Sequence, residues 1–128
     1  MPAELPRPTD AELEILTVLW VIGPATVRQV YSEISRRRSA QYSTTLKFMQ
    51  IMAEKGLVLR DEEQKAHIYR AAKPREWTQR QLAGDLLERA FSGSAKALLL
   101  GALSARKASK EELSELGDLL AEYRKAQR

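Results

Sequence analysis

The sequence predicts a mainly α-helical chain that carries one small β-hairpin. Three observations support this. Thr/Ser-x-x-Glu/Gln signatures precede apolar runs at Thr9, Thr26 and Ser109, the pattern of a helix N-terminus. Apolar residues recur at three- and four-residue spacing over most of the chain, the period of a helix buried along one side. After Gly56 that period gives way to two strand-like runs, residues 57–60 and 66–70, with the polar stretch Asp61-Glu62-Glu63-Gln64-Lys65 between them, as in a hairpin with a long tip.

Taken in order, residues 1–8 hold Pro2, Pro6 and Pro8 and are expected to form a flexible arm. Thr9-Asp10-Ala11-Glu12 opens a first helix over roughly residues 10–21. Leu13, Ile15, Leu16, Val18, Leu19 and Trp20 make it apolar over most of its surface, so it belongs between neighbours, and Gly23-Pro24 stops it. Thr26-Val27-Arg28-Gln29 opens a second helix with Val27, Val30, Tyr31 and Ile34 on one stripe, running to about Arg36. Residues 37–41 are polar and read as a turn. A third helix spans roughly 43–55 and ends at Gly56. Three helices and a hairpin within about 65 residues follow the order of a winged helix-turn-helix domain, here assigned to residues 9–72.

Lys73-Pro74 marks the next boundary, since proline suits the first turn of a helix. Residues 73–128 read as a three-helix region. A helix over about 74–91 carries Leu82, Leu86 and Phe91, and Ser92-Gly93-Ser94 breaks it. A short apolar helix over residues 95–103 carries Leu98 and Leu99, and a last helix carries Leu113, Leu116, Leu120 and Tyr123 as a narrow seam. Three striped helices in about 55 residues are few for an independent core. Those nine residues are therefore expected to pair with a second copy, making the segment a dimerisation tail.

Composition narrows the function. Of 128 residues, 44% are apolar and 30% charged, an ordinary globular balance with material for a core. No apolar run approaches the roughly 18 residues of a membrane span, and the N-terminus has no apolar signal region, so a cytoplasmic protein without membrane contact is expected. There is no cysteine, which removes disulfides and thiolate metal sites. Catalytic triads would have to be built on His67, the single histidine, which falls in the wing. No glycine-rich phosphate loop appears. Neither enzyme activity nor a cofactor or metal is expected. The net charge of +4 is concentrated: residues 28–55 hold six basic residues against two acidic ones, which suits a polyanionic partner.

On a helical wheel of residues 42–55, Tyr42, Thr45, Leu46, Met49, Met52 and Ala53 share one arc, the expected core face. Thr44, Lys47, Ile51, Glu54 and Lys55 occupy the opposite arc, with Ser43 and Phe48 at its edges. In a helix-turn-helix that outer arc enters the major groove, N-terminal residues first. Gln41, Ser43 and Thr44 supply amide and hydroxyl groups for phosphate or base edges, Lys47 suits guanine or phosphate, and Phe48 or Ile51 suits a thymine methyl. Arg28 belongs to the same basic stretch, and the run Arg36-Arg37-Arg38 suits phosphate. Lys65 and His67 bring positive charge and a ring to the wing, beside the acids of its tip. The alternative roles are bland: Ser43 and Thr44 as caps, and Lys47 as a solvated lysine.

These segments carry a family likeness. Thr9-Asp10-Ala11-Glu12-Leu13-Glu14-Ile15-Leu16 with Leu19-Trp20, Thr26-Val27-Arg28-Gln29-Val30, Tyr42-Ser43-Thr44-Thr45-Leu46, Glu54-Lys55-Gly56-Leu57-Val58 and His67-Ile68-Tyr69-Arg70 together resemble the penicillinase-repressor (BlaI/MecI/CopY) family. The resemblance implies a bacterial, dimeric winged-helix repressor that binds a palindromic operator in double-stranded DNA, reads it with the third helix and pairs through the tail. Two departures bear on regulation. The cysteine-rich metal motif of copper-sensing members is absent. Members released by a sensor protease are cut at an Asn-Phe bond, and the matching pair here is Gly101-Ala102, so a protease partner has no support from these residues. A contrasting expectation is a winged-helix adaptor that binds other proteins without sequence-specific DNA recognition. Such an adaptor has no need of hydroxyl, amide and lysine groups on the outer arc of the third helix.

Overall fold

The computed structural model describes residues 5–127. Residues 1–4 of the expected arm lie outside the described residues. The element order is α1 (Asp10–Ile22), α2 (Val27–Ser35), α3 (Tyr42–Lys55), β1 (Val58–Asp61), β2 (Ile68–Ala71), α4 (Arg75–Phe91), α5 (Ala95–Ala105) and α6 (Lys110–Ala126). This is the predicted mainly α architecture, a winged helix-turn-helix followed by a helical tail.

The first two capping boxes form as the sequence predicts. The Thr9 hydroxyl accepts from the Glu12 amide while the Glu12 carboxylate accepts from the Thr9 amide, and Thr26 and Gln29 repeat the exchange. Each box satisfies two of the orphan donors of a helix start. Gly23 (φ +83°) closes α1, its N–H donating to the Leu19 carbonyl. Gly56 closes α3 with φ +84°. The left-handed backbone favours glycine there, and a Cβ would also press on Leu5 Cδ2 at 3.2 Å. Leu5 is half-buried, and its carbonyl accepts from Gln81 Nε2 at 2.9 Å.

The hairpin is antiparallel, with Val58 opposite Ala71 and Asp61 opposite Ile68. It is fastened to the helices by a two-way bridge between Ala25 and Tyr69, whose N–H···O distances are 2.9 and 2.8 Å. One core joins these parts: Ile15, Leu16, Val18 and Leu19 of α1, Val30 and Ile34 of α2, Met49 and Met52 of α3, and Val58 and Tyr69 of the wing. Fully burying side chains of this size contributes about 1.5–3 kcal/mol each. The Trp20 indole donates to the Lys73 carbonyl at 3.0 Å, which ties α1 to the segment leading into α4.

Compact units divide after Ala83. In the second, Ser92 (φ +49°) and Gly93 (φ +80°) turn the chain out of α4, and Ser94 and Ser109 cap α5 and α6 by accepting from the amides of Ala97 and Glu112. Gly101-Ala102 lies inside α5. No residue of α5 or α6 is buried. No described helix is long and apolar enough to cross a membrane.

Among the buried residues Glu12 stands apart, at 2% exposure. One carboxylate oxygen accepts from the Thr9 amide at 2.9 Å, and the other accepts from Lys55 Nζ at 2.8 Å. Burial pushes this carboxyl upward, but the Lys55 and Thr9 bonds outweigh it and leave it below its ordinary value of 4.5. Because the folded value is the lower one, the stabilisation is complete above about pH 4.5 and is lost as pH falls through the folded value. Glu12→Gln keeps the capping geometry but gives up the ion pair. It is expected to lower the unfolding free energy by about 1–2 kcal/mol near neutral pH and to flatten the acid limb of a urea-denaturation pH series.

Candidate nucleic-acid interface

The core fixes which side of α3 faces out. Thr45, Met49 and Met52 are buried, and at about 100° per residue the direction opposite them falls on Ser43, Lys47 and Glu54, with Ile51 at its margin. Ser43, Lys47 and Glu54 are exposed and Ile51 is half-buried. These side chains form a ridge between two hollows. On one side lies a groove of about 490 Å³ bounded by Arg28 of α2, by Tyr42 and Gln50 of α3, and by Arg60, Lys65 and His67 of the wing. On the other lies a hollow of about 290 Å³ that includes Gln41, Thr44 and Phe48.

Of the nine residues expected to meet DNA, Arg28, Lys65 and His67 therefore share the first groove, Gln41, Thr44 and Phe48 line the second hollow, and Ser43, Lys47 and Ile51 stand on the ridge between them. Gln41, Ser43, Thr44 and Lys47 are exposed. Phe48 is half-buried and packs partly against the core. Tyr42 departs from the sequence reading, which placed it on the core arc. It is 36% exposed, with its ring edge-on to Tyr31 at 5.7 Å and the Arg28 guanidinium 4.7 Å from its centre. Tyr42, Gln50 and Arg60 are groove residues that the sequence reading missed. Tyr42 and Gln50 share the i, i+4, i+8 stripe with Leu46, which a wheel read for apolarity alone assigns to the core.

Charge is distributed unevenly over this surface. Neither α2 nor α3 has an acidic residue in its first turn. Gln41 provides α3 with no side-chain cap bond, so the first amides of α3 lack the acceptor that α1 and α2 have, and a helix start in that state favours anions. Among the described residues, Arg28, Lys47 and Lys65 form no ion pair. Arg60, by contrast, pairs with Glu62 at 2.6 Å, and its bond with the Tyr69 hydroxyl and the Glu62 charge hold its guanidinium above the ordinary value. The arginine run is also partly committed. Arg38 forks onto Glu14 at 2.6 and 3.0 Å, and Arg36 reaches Glu33 at 3.2 Å. The Arg38 fork holds the Glu14 carboxyl below its usual range.

A helix-turn-helix whose third helix stands out as a ridge beside a basic groove, with a hairpin wing along one side, defines a winged-helix protein of the transcription-regulator class. The sequence matches the penicillinase repressor family over residues 8–122, and the chain belongs to that family. It is 37% identical over 100 residues to the transcriptional regulator BlaI of Mycobacterium tuberculosis, covering 77% of this chain and 72% of that protein. It is 23% identical over 121 residues to the penicillinase repressor of Bacillus licheniformis, covering 94% of each. The chain thus joins a family of bacterial transcriptional repressors, not of enzymes.

Proposed function

We propose that the protein is a dimeric repressor that binds a palindromic operator in double-stranded DNA, each protomer laying α3 in a major groove. The ridge of α3 carries this reading: Ser43, Lys47 and Ile51 project between two hollows, with Gln41 and Thr44 accessible on one flank. A projecting helix of this kind fits a major groove about 12 Å wide. In this reading Gln41, Ser43, Thr44, Lys47, Phe48 and Ile51 meet bases and nearby phosphates. Arg28, Lys65 and His67 contact the backbone on the wing side. Residues 9–72 read DNA, residues 73–128 pair the protomers, and the protein works in the cytoplasm.

Pairing is supported by the unpartnered apolar surface of the tail. Leu113, Leu120 and Tyr123 are 49%, 55% and 63% exposed, and Leu86 is open as well. Leu82, Phe91, Leu98, Leu99 and Leu116 are only half-buried. Leu100 and Leu119, which the sequence reading did not single out, are also exposed and add to the apolar area left open in the tail. A two-fold dimer presents its reading helices to half-sites roughly 34 Å apart.

The first test is capture of sheared genomic DNA from the source bacterium at near-physiological salt, followed by sequencing. A few sites sharing a palindrome are expected, and uniform retention would instead favour the adaptor role. On a recovered site, Lys47→Ala is expected to weaken binding about tenfold or more, with wild-type binding falling steeply as salt rises. For pairing, sedimentation at micromolar concentration is expected to give a dimer, and Leu120→Glu with Tyr123→Glu a monomer. A wild-type monomer would overturn the paired arrangement.

A further inference from the structure

We infer that Tyr42 is a positioning residue for DNA binding: its ring holds the Arg28 guanidinium ready for a backbone phosphate beside the groove that α3 enters. This rests on the repressor reading and adds to it a residue that makes its contribution through another. Arg28 lies in the first turn of α2 and Tyr42 is the first residue of α3, so the pair spans the two helices of the helix-turn-helix. The guanidinium lies 4.7 Å from the Tyr42 ring centre. Tyr31 meets that ring edge-on, with centroids 5.7 Å apart and planes at 83°, which limits rotation of the ring. Arg28 is exposed and has no carboxylate partner among the described residues. Arg60, across the same groove, is already paired with Glu62.

The chemistry follows from the flexibility of arginine. A free side chain of this length loses much rotamer freedom when it takes hold of a phosphate. Stacking on an aromatic face removes part of that freedom beforehand and leaves the N–H edges open to an anion. Tyr42 is outside the hydrophobic core cluster, so removing its ring leaves the packing of Met49, Met52 and Ile15 in place.

The test uses the full chain and a fluorescent mixed-sequence duplex, because a phosphate contact is independent of sequence. Binding is titrated between about 50 and 200 mM salt. Tyr42→Leu is expected to weaken binding roughly two- to fivefold per protomer, and Tyr42→Phe to restore it. Arg28→Ala is expected to weaken binding and reduce the salt slope by about one per protomer. In the Arg28→Ala background, Tyr42→Leu is expected to have no further effect. The inference is overturned if Tyr42→Leu costs as much in that background as alone, if Tyr42→Phe behaves like Tyr42→Leu, or if Arg28→Ala binds like wild type. In each of those outcomes Lys47→Ala still reports on the repressor reading. Absence of wild-type binding to this duplex and to genomic DNA would remove both.

Discussion

The geometry of the winged helix-turn-helix depends on one buried carboxylate. Glu12 sits at the third position of α1, where it completes the capping box with Thr9, and its second oxygen holds Lys55 in the last turn of α3. Glu12 is nearly inaccessible while Lys55 is partly exposed, so the cost of separating the pair falls mainly on the carboxylate. Lys55 also lies where a cation offsets the negative end of the α3 dipole. The start of α1 and the end of α3 are therefore fixed to each other, and Gly56 follows at once to turn the chain into the wing. A displacement of α3 along its axis would break this contact before it disturbed the less directional apolar packing of Met49 and Met52.

The other end of α3 is tied to the same turn of α1. Glu14, two residues after Glu12, receives the fork of Arg38 just before α3 begins. The two clamps differ in strength. The Arg38 pair is largely solvated and contributes little to stability, whereas the Lys55 pair is anchored on a buried oxygen. The asymmetry matches the work each end has to do. The C-terminal end of α3 sets the direction of the helix and the exit to the wing, while in the proposed complex its N-terminal end meets DNA and adjusts to it. The Ala25–Tyr69 bridge supplies the third tie by holding the wing to the loop before α2. With these three ties, the ridge of Ser43, Lys47 and Ile51 faces outward on a rigid support instead of on a loop.

Much of this was legible in the sequence where the signal is local. Capping at Thr9 and Thr26, the stop at Gly56 and the change of period into the hairpin all depend on residues within one or two turns of each other. Long-range pairing was not legible. Arg36-Arg37-Arg38 reads as a phosphate-binding run, yet Arg38 is engaged by a carboxylate 24 positions earlier, which no window along the chain reveals. Tyr42 failed for a related reason. A wheel sorts residues by polarity, and a tyrosine at i−4 from Leu46 falls on the apolar arc. Its actual neighbours, Arg28 and Tyr31, come from α2 and make an amphipathic ring more useful at the surface than in the core. Phe48 illustrates the converse, lying at the edge of the outer arc and yet packing partly against the core.

The two compact units satisfy different physical demands. The unit up to Ala83 closes its own core, with thirteen apolar side chains among the described residues buried between α1, α2, α3, the wing and the turns that join them. The unit from Gly84 has capped helices but no buried residue in α5 or α6. Secondary structure there is specified locally, by Ser94, Ser109 and the Ser92-Gly93 turn, while among the described residues the tail helices reach only partial burial of the kind that ordinarily stabilises helices. In the dimer proposed above, the partner supplies that burial, so folding of the tail and association become one equilibrium that depends on concentration. Operator affinity is then linked to the same equilibrium, because a palindrome rewards two reading units held together far more than one. An influence that loosens the tail would in this way weaken DNA binding without touching α3.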